Sequence, residues 1–566
     1  LLHIMSIKNG YYSSKERINQ HEKKVSSFRR ILPQILAGSA KNLLLFDLGA
    51  VFGYQTIIIG NLLHSSNQPS FDENESSWFA SLLFIGQPIG CLFAAIILES
   101  IGRKTSMIYL NIPLFIGWIL ISTATSVNIL MLGSFILGFG VGFMESPTLT
   151  YIGEITEPNI RGIMTSCAEM TVGIGTLFAY VLGIWFDWRI VAYICSAVPL
   201  ISILAISLIP ESPVWLLAHN YEEKAEKSLC WLRGWVTPDL IKKEFLDLIL
   251  YRNNKIYGMK STRPKPEDGF INEITLRDEN FKHEEITNNL SCICDNEKDS
   301  THYINDSNLT NTNQIHKNLK INTLISDLLQ PQMLNVLLLM LGFFFFNTAT
   351  GANVAQAYTI PVFKELGFNI NPFRANVVTA VGVIMGQLTL MIMVSYLGKR
   401  KIVLFSSLGC ALACYATAIC ALYPNLSSEG DWPIPFIIYI VNNYMYGLGL
   451  SVIPWMYLSE IFPFRGRGAA TGITASVNYL FGFIVTKTFF GIKETLSLAG
   501  TFIFYGSITL LGFIYLYFLL PETEGKTLQD IEANTSVWKI FEHNVDYKSD
   551  TEEDKKIQAK RRTTKQ

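Results

Sequence analysis

The most constraining feature of this 566-residue sequence is a series of twelve long apolar stretches. Crossing about 30 Å of hydrocarbon takes roughly 20 mostly apolar residues in a helix, and each stretch is of that order. The predicted spans, numbered 1 to 12 throughout, are 38–60, 78–98, 105–125, 128–153, 163–185, 188–208, 332–360, 374–397, 401–423, 434–458, 468–491 and 497–520.

The composition agrees with a protein that sits in the lipid bilayer. Hydrophobic residues make up 49% of the chain and charged residues only 16%, against about a quarter charged in soluble domains. A net charge of −1 argues against a nucleic-acid partner. The sequence contains no nucleophile–base pair, phosphate-binding loop or metal-ligand cluster, so we predict neither an enzyme nor a cofactor, and the oligomeric state is left open.

The distribution of Lys and Arg predicts which side of the membrane each loop faces. The stretch before span 1 carries seven Lys or Arg against two Glu, whereas residues 61–77 and 424–433 contain neither Lys nor Arg. Cytoplasmic loops are enriched in these cations. We therefore expect a multi-pass protein of the plasma membrane with both termini in the cytoplasm. The sequons at Asn74 and Asn425 then lie outside, where they can be glycosylated.

The loops divide the chain into five segments. A long polar interval after span 6 separates six spans from six more, and part of it, 251–320, is so polar and aperiodic that we predict a disordered insertion. Apolar residues at helical spacing before that insertion predict short helices on the cytoplasmic face. The predicted segments are the N-terminal segment 1–37, the first bundle 38–208, the middle loop 209–331, the second bundle 332–520 and the tail 521–566.

An internal repeat supports this division into two halves. The pattern Tyr-x-x-Glu-Ile-x5-Arg-Gly occurs after span 4, with Glu154 and Arg161, and again after span 10, with Glu460 and Arg467. Parallel repeats of this kind build transporters whose substrate site lies between the two halves.

The repeated charges predict a cytoplasmic gate between the two bundles. Carboxylate–guanidinium pairs at these helix ends can hold the bundles together and must break when the inner side opens. A purely structural role, in which the charges only anchor helix ends, stays open for any single residue. The predicted gate residues are Gly102, Arg103, Lys104, Glu154, Arg161, Glu211, Lys399, Arg400, Glu460, Arg467 and Glu522.

These motifs together resemble the sugar porter family of the major facilitator superfamily. The resemblance includes the Pro-Glu-Ser-Pro motif that begins at Pro210 and the Pro-Glu-Thr-Glu-Gly-Lys motif that begins at Pro521, and it covers most of residues 40 to 532. Within that family the chain is most similar to insect facilitated trehalose transporter-like proteins, through motifs such as Gly142-Phe-Met-Glu-Ser-Pro. The resemblance implies an all-α membrane protein with twelve transmembrane helices in two six-helix bundles, the major facilitator fold.

The chain departs from the family pattern at several positions that would contact a sugar. Glu169 aligns with the family's glutamine of span 5, and the paired glutamines of span 7 are replaced by a stretch that begins Asn347-Thr348. In span 11, Asn478-Tyr479 replaces Asn-Trp. These differences leave the fold intact but weaken the assumption that the substrate is glucose.

A sugar presents hydroxyls and flat apolar faces, so its site needs amides or carboxylates and an aromatic platform. Polar and aromatic residues near the middle of spans 5, 7, 10 and 11 supply these groups. For any single residue, hydrogen bonding between helices is the alternative role. The predicted substrate-binding residues are Glu169, Asn347, Thr348, Asn353, Tyr358, Trp455, Asn478 and Tyr479.

Buried acids distinguish two modes of transport. Asp47, Glu145 and Glu169 lie at similar depth in their spans, and a charged side chain at mid-bilayer costs roughly 2.5–3.5 kcal/mol. Proton-coupled sugar porters carry an Asp after the Gly-Tyr of span 1, whereas this chain has Gln55 there. We therefore predict a facilitative uniporter for a neutral sugar, trehalose or a hexose, that works by alternating access. The alternatives are a proton–sugar symporter that uses Asp47 or Glu169 and a sugar receptor that transports nothing.

Overall fold

The structure, a computed structural model, describes most of the predicted membrane-spanning residues. The ranges described are 26–66, 69–257, 329–351, 356–365, 371–423, 434–462 and 467–524. The predicted insertion 251–320 lies outside them, apart from the last residues of the helix that ends at Tyr257.

Helices in the first half follow the predicted spans. They are Ser27–Leu62 (span 1), Glu73–Ile101 (span 2), Arg103–Tyr109 and Asn111–Ser122 (span 3), Val127–Ile155 (span 4), Pro158–Trp185 (span 5), and Trp188–Cys195 and Ala197–Ser207 (span 6). Three further helices, Pro213–Ala218, Glu222–Leu232 and Pro238–Tyr257, follow span 6 in the region where the periodicity predicts short helices.

The second half repeats the pattern with more interruptions. Its helices are Pro331–Ala349 and Thr359–Glu365 (span 7), Pro372–Leu397 (span 8), Lys399–Leu422 (span 9), Ile434–Met445, the π-helical turn Tyr446–Leu450 and Ile453–Glu460 (span 10), and Arg467–Leu519 (spans 11 and 12).

Among the described residues, eleven helices are long and apolar enough to cross a membrane. The sequence predicts twelve because spans 11 and 12 are separate there, whereas the structure joins them in Arg467–Leu519. This long helix is interrupted at Ser497, whose φ of 65° and ψ of 173° are not helical. Ser497 is the first residue of the predicted span 12, so the bend separates the two predicted spans. The prediction of an all-α membrane protein is confirmed.

The chain divides into two compact units. The first comprises residues 1–253, 343–457 and 475–524, and its described part contains most of the membrane-spanning helices. The second comprises residues 254–342, 458–474 and 525–566, and its described part consists of short lengths of spans 7, 10 and 11 and the last residues of Pro238–Tyr257. The five predicted segments follow the order of the chain rather than these units, and their boundaries stay a prediction.

Glycines bring corresponding helices together in the two halves. A Cβ atom at Gly142 of span 4 would overlap the carbonyl oxygen of Gln87 in span 2. A Cβ atom at Gly447 of span 10 would overlap the carbonyl oxygen of Val383 in span 8 in the same way. Small residues allow such close approach between membrane helices. Because spans 2 and 4 correspond to spans 8 and 10 in the repeat, the halves share this packing.

Within the first unit, spans of the two halves touch near the beginning of span 2. The Lys487 Nζ of span 11 donates a hydrogen bond of 2.9 Å to Asn74 Oδ1 and lies 4.2 Å from the centroid of the Trp78 ring. Between spans 1 and 7, Thr56 Oγ1 donates a hydrogen bond of 2.7 Å to the carbonyl oxygen of Gln356. The end of the first unit that is predicted to face outside is therefore held by contacts between the halves.

Candidate substrate site

A cavity of about 180 Å³ lies between spans of the first half and spans of the second half, all within the first unit. Its lining includes hydroxyl, amide, carboxyl and amine groups together with aromatic faces. Six of the predicted substrate-binding residues lie in its wall: Glu169, Asn347, Thr348, Trp455, Asn478 and Tyr479.

Span 7 contributes polar groups where its helix stops. Asn347 and Thr348 lie in the last turn of Pro331–Ala349, and Gly351 follows with a φ of +73°, a left-handed conformation that favours glycine. A Cβ atom at Gly351 would approach the Tyr505 ring to 2.8 Å. The end of the helix thus presents an amide and a hydroxyl to the cavity.

Span 10 contributes an aromatic platform below an irregular turn. The π-helical turn Tyr446–Leu450 interrupts the α-helix, and Trp455 follows one turn later. The Trp455 ring packs edge-on against Phe344 at 5.1 Å and lies 6.3 Å from the Tyr479 ring, with all distances between centroids. These neighbours fix the indole, while one side of it lines the cavity. A fixed aromatic face is suited to packing against the apolar face of a sugar ring.

Span 11 contributes Asn478 and Tyr479, which hold partners on different spans. Thr348 Oγ1 donates a hydrogen bond of 2.7 Å to Asn478 Oδ1, so the amide nitrogen of Asn478 is left to donate elsewhere. Tyr479 donates its hydroxyl proton to the Glu145 carboxylate of span 4 in a short hydrogen bond that joins the two halves.

Two buried oxygen atoms in the wall accept no hydrogen bond from a described residue. They are Asn347 Oδ1 and Gln387 Oε1, although the Gln387 amide nitrogen donates to Ser451 Oγ at 3.3 Å. Leaving such an acceptor unpaired costs about 1–3 kcal/mol. The cavity therefore offers acceptors at Asn347 and Gln387 and a donor at Asn478, the combination that a hydroxyl group satisfies.

The first half adds one basic and two acidic side chains to the cavity wall: Lys41, Glu145 and Glu169. Asp47, the other predicted proton site, lies elsewhere. It is 1% exposed, and Trp118 Nε1 of span 3 donates a hydrogen bond of 3.0 Å to its Oδ1. Its carboxyl group therefore faces the interior of the first bundle.

The last two predicted binding residues do not lie in the described wall. Tyr358 is fully buried, and its ring stacks on Phe489 with 4.8 Å between centroids and an interplanar angle of 9°. Its hydroxyl donates to the carbonyl oxygen of Thr486 at 3.4 Å. Asn353 lies outside the described residues.

Four of the predicted gate residues of the first half, Arg103, Lys104, Glu154 and Glu211, form one cluster with the helix start after Gly102. Arg103 donates from Nε and Nη2 to Glu154 Oε1 at 3.2 and 3.0 Å, and from Nη2 to Glu99 Oε1 at 3.1 Å. The Glu211 carboxylate accepts from the backbone N–H groups of Arg103 and Lys104 at 2.9–3.1 Å. Those N–H groups begin the span 3 helix and have no partner within it, so Glu211 acts as its cap.

The second half repeats this cap. The Glu522 carboxylate accepts from the backbone N–H groups of Lys399 and Arg400, which begin the span 9 helix, at 3.1 and 3.0 Å. Gly102 and Gly398 precede the capped helices with φ values of +93° and +80°. A Cβ atom at either glycine would collide with the capping carboxylate.

Each cluster contains an ion pair between residues of its own half. Arg103 pairs with Glu154 in the first half, and Lys399 Nζ lies 3.2 Å from Glu524 Oε2 in the second. Glu460 ends the last helix of span 10, and Arg161 and Arg467 lie in helices, but their part in a gate stays a prediction. Asn74 is exposed in the first turn of span 2, and Asn425 lies outside the described residues.

Several wall residues were not predicted from the sequence: Lys41, Thr176, Gln356, Gln387, Asn443 and Tyr446. The sequence could have indicated Lys41, because a lone cation inside an apolar stretch costs free energy in the membrane and usually has a functional role. The polar residues of spans 8 and 10 carried a weaker signal, because amides also join helices to one another.

Solved structures with a similar fold are sugar transporters. The structure of the major facilitator superfamily proton:xylose symporter XylE, bound to 6-bromo-6-deoxy-D-glucose, matches 89% of this chain and 99% of its own, with a TM-score of 0.62 and 18% identity. The inward open conformation of the xylose transporter XylE from E. coli matches 88% of this chain and 98% of its own, with a TM-score of 0.60 and 17% identity. At this identity the likeness shows the fold alone, and the predicted major facilitator fold is confirmed.

Two relatives of known name are facilitated trehalose transporters. The facilitated trehalose transporter Tret1 of Polypedilum vanderplanki is 26% identical over 508 residues, which are 89% of this chain and 88% of that protein. Tret1 of Aedes aegypti is 27% identical over 473 residues, which are 82% of this chain and 50% of that protein. The chain thus spans about half the length of the Aedes relative.

The family assignment rests on a match over most of the chain. Residues 42–261 and 281–534 match the family described as "Sugar (and other) transporter". This match covers both halves and excludes only the ends and part of the predicted insertion. The family is one of transporters, which confirms the prediction that the chain is not an enzyme. The chain belongs to the sugar (and other) transporter family, the sugar porters of the major facilitator superfamily.

Proposed function

We propose that this protein is a facilitative transporter that moves a neutral sugar, trehalose or a hexose, down its gradient by alternating access. The observation that carries the proposal is the cavity between the two halves, with its unpaired amide groups beside the Trp455 face. Hydroxyls can fill these hydrogen bonds, and the indole can cover an apolar ring face. Trehalose leads among the candidates because the relatives described above are facilitated trehalose transporters.

The test is uptake of labelled trehalose and labelled glucose into cells that express the chain. Uptake is measured at pH 5.5 and 7.5, with and without a protonophore, and surface expression is checked by biotinylation. We expect saturable uptake that the protonophore does not change. Absence of flux for both sugars, with the protein at the surface, would contradict the proposal, and sugar binding without flux would favour a receptor.

Proton-coupled symport is the second candidate, and a specific observation favours it. Glu145 and Glu169 line the cavity, where a carboxyl group can take up a proton together with the substrate. Uptake measured with the protonophore distinguishes facilitated transport from symport, since a symporter loses its gradient-driven uptake when the proton gradient is removed.

We also propose that the two cytoplasmic clusters form a gate between the bundles. In this proposal the charges of Arg103 and Glu154 in the first half, and of Lys399 and Arg400 in the second, exchange partners when the inner side opens. Substituting Glu154→Gln or Arg161→Gln should then lock the transporter or make it leak. Unchanged flux in both variants would contradict the gate.

The proposed topology places the protein in the plasma membrane with both termini in the cytoplasm and with Asn74 and Asn425 outside. Tags fused to each terminus should bind antibody only after the cells are permeabilised. Removing N-linked glycans should increase the gel mobility of the protein, and Asn74→Gln with Asn425→Gln should abolish that change.

A further inference from the structure

Three ionisable side chains from three spans of the first half meet in the wall of the cavity. Lys41 comes from span 1, Glu145 from span 4 and Glu169 from span 5. Lys41 is only 2% exposed, although a lysine side chain is long enough to reach water from many buried positions. Its ammonium group is therefore kept inside the protein, next to the space proposed for the substrate.

The charges of these groups act on one another without close pairing. The electrostatic attraction of Lys41 to Glu169 is stronger than its attraction to Glu145. The two carboxyl groups repel each other when both are ionised. Within the described residues, neither Lys41 Nζ nor the Glu169 carboxyl makes a hydrogen bond or a short ion pair. Glu145 accepts a hydrogen bond from the Tyr479 hydroxyl. Lys41 is thus free to balance either carboxylate.

The other titratable groups that face this cluster do not change its charge. They are Cys91 on span 2, Tyr446 on span 10 and Tyr479 on span 11. Thiols and phenols ordinarily keep their protons at neutral pH, and burial favours the uncharged form further. The charge of the cluster is therefore set by Lys41, Glu145 and Glu169 alone.

Counting protons shows what Lys41 contributes. With its ammonium group present, the cluster is neutral when the two carboxyl groups share a single proton. Without it, the cluster is neutral only when both carboxyl groups are protonated. Uncompensated charge inside a membrane protein is costly, so the cluster without Lys41 must take up one more proton.

We propose that Lys41 is a permanent counter-cation of the transport site. Its positive charge balances the carboxylate that a second, coupling proton would otherwise neutralise. This inference rests on the proposed function, because it explains how a cavity with two carboxyl groups can move a neutral sugar without a proton gradient. The ammonium group travels with the protein through the cycle, whereas a proton would be carried across and released.

The test measures exchange of labelled sugar in liposomes that contain the purified full-length protein. The pH is equal on both sides and set to 5.5, 6.5 or 7.5, and the sugar is the one that gives saturable uptake. Five proteins are compared: the unaltered chain, Lys41→Gln, the charge-preserving Lys41→Arg, the double variant Lys41→Gln with Glu169→Gln, and the control Glu169→Gln.

We expect the unaltered chain and Lys41→Arg to exchange sugar at rates that change little with pH. Exchange by Lys41→Gln should fall about tenfold or more between pH 5.5 and 7.5, because each pH unit above its pKa lowers the protonated fraction of a carboxyl group by about tenfold. The double variant has one carboxyl group fewer to protonate, so its exchange should again change little with pH.

Two outcomes would overturn the inference. One is exchange by Lys41→Gln that is as flat with pH as in the unaltered chain. The other is loss of exchange at every pH in both Lys41→Gln and the double variant while both remain folded and a Glu169→Gln control still exchanges sugar, since Lys41 would then do something other than balance charge. If Lys41→Gln is inactive but the double variant exchanges sugar, the inference stands.

A readout without transport separates this inference from the proposed function. The unfolding temperature of Lys41→Gln should fall relative to the unaltered chain as the pH rises from 5.5 to 7.5, because the ionised carboxylates repel each other. The double variant should not show this fall. If the unaltered chain moves no sugar at all, the proposed function fails. If the unfolding temperature of Lys41→Gln differs from that of the unaltered chain by the same amount at every pH, the charge balance by Lys41 is overturned as well.

Discussion

The two halves of the protein are alike around Glu211 and Glu522 and different in the cavity. Glu211 and Glu522 cap the helices of spans 3 and 9 through the same backbone contacts. Tyr151 and Tyr457 donate hydrogen bonds of 2.8 and 2.6 Å to the carbonyl oxygens of the prolines that precede these glutamates. In the cavity, by contrast, every charged lining residue belongs to the first half, and the lining from the second half is neutral.

This difference separates what the fold requires from what the substrate requires. Each half begins a membrane helix next to its glutamate, and the same carboxylate cap accepts the first backbone N–H groups of that helix in both halves. A substrate in the cavity would meet both halves at once, so nothing requires the two walls to match. The neutral wall suits hydroxyl recognition, while the charged wall holds Lys41, Glu145 and Glu169, the groups to which the proposals above assign the presence or absence of proton coupling.

The largest expected effect follows from removing a cap. Glu211→Ala and Glu522→Ala should each lower the free energy of unfolding by about 2–4 kcal/mol, because each leaves several backbone N–H groups without an acceptor. Thermal unfolding in detergent measures the loss. The control is Glu99→Ala, whose side chain is 71% exposed, and which should cost less than about 1 kcal/mol. If only one of the two cap variants lost stability, the two caps would not be equivalent.

The next effect concerns the aromatic platform of the neutral wall. Trp455→Ala should raise the sugar concentration for half-maximal uptake about tenfold or more, because it removes an apolar contact of roughly 1.5–3 kcal/mol. Trp455→Phe should keep much of the affinity. Trp185, which is 73% exposed at the end of span 5, provides the matched control Trp185→Ala. If Trp455→Ala and the control need the same sugar concentration for half-maximal uptake, Trp455 does not contact the sugar.

A smaller effect is expected for the amide of span 11. Asn478→Ala should raise the same half-maximal concentration about threefold to tenfold, the value of one neutral hydrogen bond. Thr348→Val, which removes the hydroxyl that orients Asn478, should have a weaker effect in the same direction. The control Thr417→Val changes a buried threonine that bonds only within its own helix. Unchanged affinity in both wall variants would mean that the neutral wall does not recognise the sugar.

The smallest effect is expected at Asp47. Asp47→Asn should leave uptake and its response to a protonophore within about twofold, because asparagine still accepts the Trp118 hydrogen bond away from the cavity. Uptake is compared at pH 5.5 and 7.5. If this variant alone abolished gradient-driven uptake, the proton site would lie inside the first bundle instead of on the charged wall.

The sequence predicts the spans and the repeat well for a physical reason. Crossing a bilayer demands long apolar helices, and the repeated Tyr-x-x-Glu-Ile-x5-Arg-Gly pattern marks the same helix end in both halves. The rotation of each helix is harder to predict, because both lipid and the protein interior accept apolar residues. Tyr358 and Asp47 therefore pack inside a bundle, while Lys41 and Gln387 line the cavity unpredicted.

The most direct test of the central claim is exchange of labelled trehalose into liposomes that contain the purified chain and are preloaded with unlabelled trehalose. Parallel liposomes contain Trp455→Ala with Asn478→Ala. We predict transient accumulation of label by the unaltered chain with a protonophore present, and a strong reduction in the double variant. Equal accumulation by both proteins, or none by the unaltered chain with either trehalose or glucose, would contradict the account.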